Sequence, residues 1–150
     1  MSELYTRDIL RWTTRLGHQT PLANPDVTAR RTSRICGSRM RAAARLDGDR
    51  ITDFSQEVTA CALGQAAAAI MESQVIGLDR ATFEDVDRRF RHMMETGEAD
   101  FPEAFRDLAL LAPVVHHPGR KGSVRLPFQV IGDLFRAAGG DNGAAAQTDI

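Results

Sequence analysis

The spacing of apolar and polar positions changes along this chain. Leu4/Tyr5, Ile9, Trp12 and Leu16 recur at helical spacing and predict a first helix, which Gly17 ends. The stretch from His18 to Asp26 contains Pro21 and Pro25 and reads as loop. Thr32 to Cys36 predicts a first strand. From Met40 to Leu46 the period becomes that of a half-buried strand: Met40, Ala42, Ala44 and Leu46 share one face, Arg41 and Arg45 the other. Asp47-Gly48 suits a tight turn, because both residues tolerate positive φ. Ile51 to Val58 then returns as a third strand.

After Thr59 the pattern turns helical. Cys61 to Ile76 is rich in alanine, with Leu63, Ile70 and Met71 adding bulk, and small residues let a helix lie close to a sheet. Gly77 ends this helix. Asp79 precedes another, with Phe83, Val86, Phe90 and Met93/Met94 as its apolar stripe. Pro102 starts a further helix through Phe105 and Leu108 to Leu111, and Pro113 stops it. Val114 to Ser123 reads as loop. Leu126 to Ala138 is the last predicted helix, with Pro127 in its first turn. Beyond Gly139 the chain is polar and glycine-rich, as frayed ends are. The expected architecture is one α+β domain over 1–138, a small antiparallel three-stranded sheet packed on one face by helices. Residues 139–150 are expected to form a disordered tail.

Composition narrows the function classes. A chain of 150 residues buries a core without disulfides or metal. Its 19 basic and 20 acidic residues nearly cancel, so net charge implies no nucleic-acid partner. Lys121 is the one lysine; the other basic residues are arginine. The first ten residues carry charges and no apolar run, and no stretch is long enough to span a membrane. A cytoplasmic location with reduced thiols is the expectation. No catalytic triad, phosphate loop or nucleotide fingerprint is present, so an independent enzyme is not expected.

The candidate chemistry rests on two cysteines. Cys36 lies in Arg34-Ile35-Cys36-Gly37-Ser38, at the end of the first predicted strand. Cys61 opens the alanine-rich helix after the hairpin. That arrangement brings two distant thiols to one end of a sheet, as a thiolate metal site or a redox pair requires. A helix N-terminus favours the thiolate of Cys61, while Cys36, beside Gly37, is the more accessible. His116 and His117 precede Ser123 in the predicted loop and are candidate imidazole donors. Asp47 and Asp49 read as turn residues. The alternative for each cysteine is a small buried hydrophobe.

The order Cys36-Gly37-Ser38, Asp47-Gly48-Asp49-Arg50-Ile51, Ala60-Cys61-Ala62 and Pro118-Gly119-Arg120-Lys121-Gly122-Ser123 resembles the IscU/NifU-type iron–sulfur cluster scaffold family, and its SufU-like branch in particular. The resemblance runs from about Tyr5 to Ala138. It implies a scaffold or carrier that receives sulfur from a cysteine desulfurase, works with other iron–sulfur assembly proteins, and holds iron or an iron–sulfur cluster, or zinc. It implies Cys36 and Cys61 as ligands, with Ser38 and Ser123 at the family's other ligand positions; His117 is a further candidate from its place before Ser123. Three departures stand out. Ser38 replaces the family's acidic residue, Ser123 its third cysteine, and Gly122 the histidine of the IscU branch. An interaction module without cluster chemistry and a Cys36/Cys61 redox protein are the alternative readings. Homo-oligomerisation and the absence of any cofactor stay open.

Overall fold

The computed structural model describes residues 4–17 and 20–140, and the backbone of 145–149. Helix α1 spans Arg7–Thr13. Three strands follow: β1 (Val27–Thr32), β2 (Arg39–Asp47) and β3 (Arg50–Thr59). Helix α2 spans Ala62–Glu72 and α3 Arg80–Thr96. A 3₁₀ segment runs over Glu103–His116, and α4 over Pro118–Ala138. A last strand, β4, covers Ala145–Asp149.

The sheet order is β3-β2-β1-β4, with β1, β2 and β3 antiparallel and β4 parallel to β1. The three-stranded antiparallel meander expected from the sequence is therefore present. β4 lies in the stretch read as a tail; residues 141–144 and 150 of that stretch fall outside the described residues. The β2–β3 hairpin closes with Gly48 at φ 64°, a value that favours glycine.

The inner sheet face carries Val27, Ala29, Met40, Ala42, Ala44 and Ile51, all buried. Much of it is alanine, so helices approach closely. α4 lies against β1 and β2, while α2 packs between α1 and α4. Nearly every side of α2 is enclosed: Leu63, Gly64, Ala66, Ala67, Ala68, Ala69, Ile70 and Met71 are buried. Such an all-round apolar helix needs neighbours on all sides. α3 packs its stripe outside this layer, where the Phe90 ring stacks on Phe128 at 4.3 Å between centroids.

One ion pair fastens α4 to the sheet. Arg31 of β1 donates through Nε to Asp133 Oδ2 at 2.7 Å and through Nη2 to Oδ1 at 3.1 Å. Arg136 donates to the same carboxylate. Asp133 is only 3% exposed, so these bidentate contacts offset the cost of burying its charge.

Several boundaries differ from the sequence reading. The first strand is Val27–Thr32, not Thr32 to Cys36. Ser33 N–H donates to Ser38 carbonyl at 2.7 Å, and Gly37 N–H to Ser33 carbonyl at 2.8 Å, closing 33–38 into a turn. Gly37 has φ 74° in that turn. α2 stops at Glu72, and Gly77, at φ 88°, shapes the connection beyond it. The segment after Pro102 is 3₁₀ and passes through Pro113 to His116. No loop spans 114–123: α4 begins at Pro118, where a missing N–H costs nothing. Pro127 lies inside α4 rather than in its first turn, and leaves the Ser123 carbonyl without its usual i+4 donor.

That carbonyl faces Gly64. A Cβ on Gly64 would lie 2.8 Å from Ala60 Cβ, 3.1 Å from Ser123 O and 3.2 Å from Ser123 Cβ. Two of these neighbours belong to a different helix, which would have to move. Leucine at 64 regains roughly 1 kcal/mol of helix propensity over glycine, but overpacking against backbone costs more. Gly64→Leu is expected to lose about 2 kcal/mol net, read as a Tm fall of roughly 5 °C in thermal denaturation. A Tm at or above the parent's contradicts this packing.

Candidate functional site

The two thiols lie at the same end of the sheet because of the β2–β3 register. Arg39 pairs with Thr59 at the ladder's end. The 33–38 turn leads into one strand there, and Ala60-Cys61 leads out of the other. Cys36 is exposed and Cys61 half-buried.

Each thiol has its own hydroxyl partners. The Cys36 Sγ–H reaches Ser38 Oγ at 3.2 Å and Ser33 Oγ at 3.3 Å. Cys61 Sγ lies 3.3 Å from Ser123 Oγ. Ser123 in turn donates to the Arg120 carbonyl at 3.2 Å, one helical turn back. Ser33, Ser38 and Ser123 are buried, at 3%, 4% and 1% exposure. Gly122 connects the two clusters. A Cβ on it would stand 3.2 Å from Ser33 Oγ, while its neighbour Ser123 contacts Cys61. Adjacent residues of α4 thus touch the surroundings of both thiols.

Cys61 is the N-cap of α2, with φ −66° and ψ 172° and no side-chain cap bond. It therefore lies at the helix mouth rather than within the first turn. Burial pushes the Cys36 thiol up. Hydrogen bonds from the Ser33 and Ser38 side chains, and from the backbone at Ser38 and Cys36, outweigh it and hold the thiol below the ordinary cysteine value. The sequence expected accessibility at Cys36; the structure adds the hydroxyl partners that lower its thiol.

Ser38 and Ser123 are thus each beside a cysteine. His116 and His117 are exposed, and His117 caps α4 without a side-chain cap bond. Among the described residues no three His, Cys, Asp or Glu side chains gather into a metal-binding group. Zinc and iron–sulfur sites are built from thiolates, imidazoles and, for zinc, carboxylates, four in a closed site. The groups set beside the two thiols are hydroxyls, which are hard and neutral ligands. This donor set does not fit either group.

Sequence reasoning missed Ser33 and Gly64, and named Gly122 only as a departure from the family pattern. Ser33 precedes Cys36 by three residues, as in a turn, and Gly64 follows Cys61 by three, on the same helix face. Those spacings were readable; the approach of α4 that gives them meaning was not.

Over residues 4–122 the chain matches the NifU-like N terminal domain family. It is 29% identical over 97 residues to the zinc-dependent sulfurtransferase SufU of Bacillus subtilis (strain 168). That stretch covers 65% of this chain and 66% of the relative, just under two thirds of its length. The crystal structure of a nitrogen-fixing NifU-like protein (N-terminal) from Brucella abortus superposes with a TM-score of 0.83 at 30% identity, covering 89% of this chain and 93% of that one. A Fervidobacterium islandicum AW-1 protein, named as a scaffold for iron–sulfur cluster assembly by the SUF system, shares the fold with a TM-score of 0.77. Its identity is 22%, with 85% of this chain and 93% of that one covered.

The lowered Cys36 thiol makes a pH prediction. Thiolate is the species that iodoacetamide alkylates. A lowered value means Cys36 is already thiolate where an ordinary cysteine is still protonated. Site-resolved alkylation against pH is expected to rise at lower pH for Cys36 in the folded protein than in the same chain in denaturant. Coincident curves contradict the hydroxyl effect.

Proposed function

Since the chain belongs to the NifU-like N-terminal domain family, we propose that it serves iron–sulfur cluster assembly as a sulfur carrier, with Cys36 as acceptor thiol and Cys61 as the second thiol of the pocket. One observation carries this reading: the exposed Cys36 stands on a turn with two buried hydroxyls aimed at its sulfur. Exposure lets a donor protein reach the sulfur. The hydroxyls stabilise it as the anion that attacks. The name of the Bacillus relative, a sulfurtransferase, supports sulfur as the cargo.

The transfer is balanced in thiol chemistry alone. A cysteine desulfurase presents a persulfide. The Cys36 thiolate attacks its outer sulfur, and a new S–S bond forms on Cys36. The donor's own S–S bond breaks, and the donor cysteine leaves as thiolate. The proton of the persulfide travels with the transferred sulfur. Cys61, half-buried beside Ser123 at the same end of the sheet, is the second thiol, and an assembly protein takes the sulfur from there. Such a carrier works in the cytoplasm beside the desulfurase and catalyses nothing alone. No helix among the described residues is long and apolar enough to cross a membrane.

Incubation with a cysteine desulfurase and free cysteine tests this. Intact-mass measurement is expected to show a gain of one sulfur atom, removed by reductant. The gain disappears in Cys36→Ser and persists in Cys61→Ser. A parent chain that gains no sulfur contradicts the carrier reading and leaves the interaction module in its place.

A further inference from the structure

The pocket's hydroxyls have a use that the zinc-dependent relative does not suggest. Ser33 and Ser38 are almost fully buried, at 3% and 4% exposure. Among the described residues, the Cys36 sulfur is the hydrogen-bond partner of both hydroxyls, and neither has another. Buried hydroxyls without an acceptor are costly. A protonated thiol can donate to one of them at a time and accepts weakly. An anionic sulfur accepts from both at once. The arrangement therefore suits a sulfur anion, whether thiolate or persulfide.

The position beside this pocket is shaped for the same end. Gly122 has no side chain, and Ser33 Oγ fills the space one would enter, 3.2 Å from a Cβ at that position. The polar group at this position thus comes from Ser33, just past the end of β1, and not from α4. On the other side, Ser123 occupies the place beside Cys61 and gives its proton to the Arg120 carbonyl. The exposed His116 and His117 join no group of three ligand side chains among the described residues. Asp133 is held by Arg31 and Arg136, and His92 pairs with Glu98 at 3.6 Å on the far helix.

We propose that in this chain Ser33 and Ser38 replace a metal as the groups that hold the sulfur anion on Cys36, so that sulfur loading runs without zinc. The inference rests on the carrier reading above. Ser33 and Ser38 are positioning residues in it: they act through the Cys36 sulfur.

Two measurements test it, and they fail separately. Equilibrium dialysis of the chelator-treated chain against zinc alone is expected to find far less than one zinc per chain. Cobalt(II) is expected to give no thiolate absorption band. Restoring the soft and acidic donors, Ser38→Asp with Ser123→Cys, is expected to bring zinc to stoichiometry. In the loading assay, a chelator is expected to leave the sulfur gain unchanged. Ser33→Ala with Ser38→Ala is expected to shorten the lifetime of sulfur on Cys36 roughly tenfold, the size of one to two lost hydrogen bonds. Ser33→Thr with Ser38→Thr keeps both hydroxyls and is expected to restore it, which a merely structural effect on the turn would not. One zinc per chain or per pair of chains overturns the inference, as does loading abolished by chelator or a double alanine variant with parental lifetime. If no sulfur loads at all, the carrier reading falls, and the zinc titration still decides whether the pocket is a metal site.

Discussion

The arrangement depends on how closely α2 and α4 approach each other. At Gly64 there is no room for a Cβ: the Ser123 backbone and side chain of α4 stand 3.1 and 3.2 Å from where it would be. Close packing of this kind does not relax around extra atoms. The contact sets the distance between the helix that begins at Cys61 and the helix that carries Ser123. Pro127 contributes, because the Ser123 carbonyl it frees is the atom that faces Gly64. The alanine-rich inner sheet and the enclosed α2 make the same demand over a wider area. Small residues here are a means of bringing chemistry-bearing groups together.

The second constraint is the buried Arg31–Asp133 pair. It fastens α4 to β1 two residues before Ser33, where the 33–38 turn begins. A turn carrying an exposed thiol would otherwise be free to move relative to α4. With its base held by a bidentate pair and its interior by two backbone hydrogen bonds, Ser33 stays against Gly122 and both hydroxyls stay on the Cys36 sulfur. The two cysteines are thereby given different environments. Cys36 is outside with two hydroxyls behind it. Cys61 is at a helix mouth, half-buried, with one hydroxyl.

Much of the fold was legible in the sequence. Met40, Ala42 and Ala44 alternate cleanly with Arg41, and β2 is where that alternation lies. Asp47-Gly48 marked the hairpin, and Asp79 marked the start of α3, whose stripe of Phe83, Val86 and Phe90 is buried. β1 was misplaced because Val27 and Ala29 are its only inward apolar residues, too few to register as a period. The start of α4 was hidden by Pro118, Gly119 and Gly122, which read as loop but serve as a helix start and a site of close approach. The site was legible in part. Ser38 and Ser123 stood at family positions, whereas Ser33 has meaning only once the turn folds back on α4. The contrast in thiol environment was not legible: Ser33 and Ser38 are close to Cys36 in sequence, but only the folded turn brings their hydroxyls to its sulfur, and the partner of Cys61 lies 62 residues away.

Both thiols are placed at one end of the sheet, with Gly122 beside the Cys36 turn and Ser123 beside Cys61. A thiol-bridging reagent with two short reactive arms, such as dibromobimane, reports on this directly, because it becomes strongly fluorescent only when both arms are attached. The folded chain is expected to form an intramolecular Cys36–Cys61 bridge at dilute concentration, faster than the chain in denaturant, and Gly64→Leu is expected to form it poorly. Single-arm adducts on the two cysteines of the folded parent, without a bridge, would contradict the account.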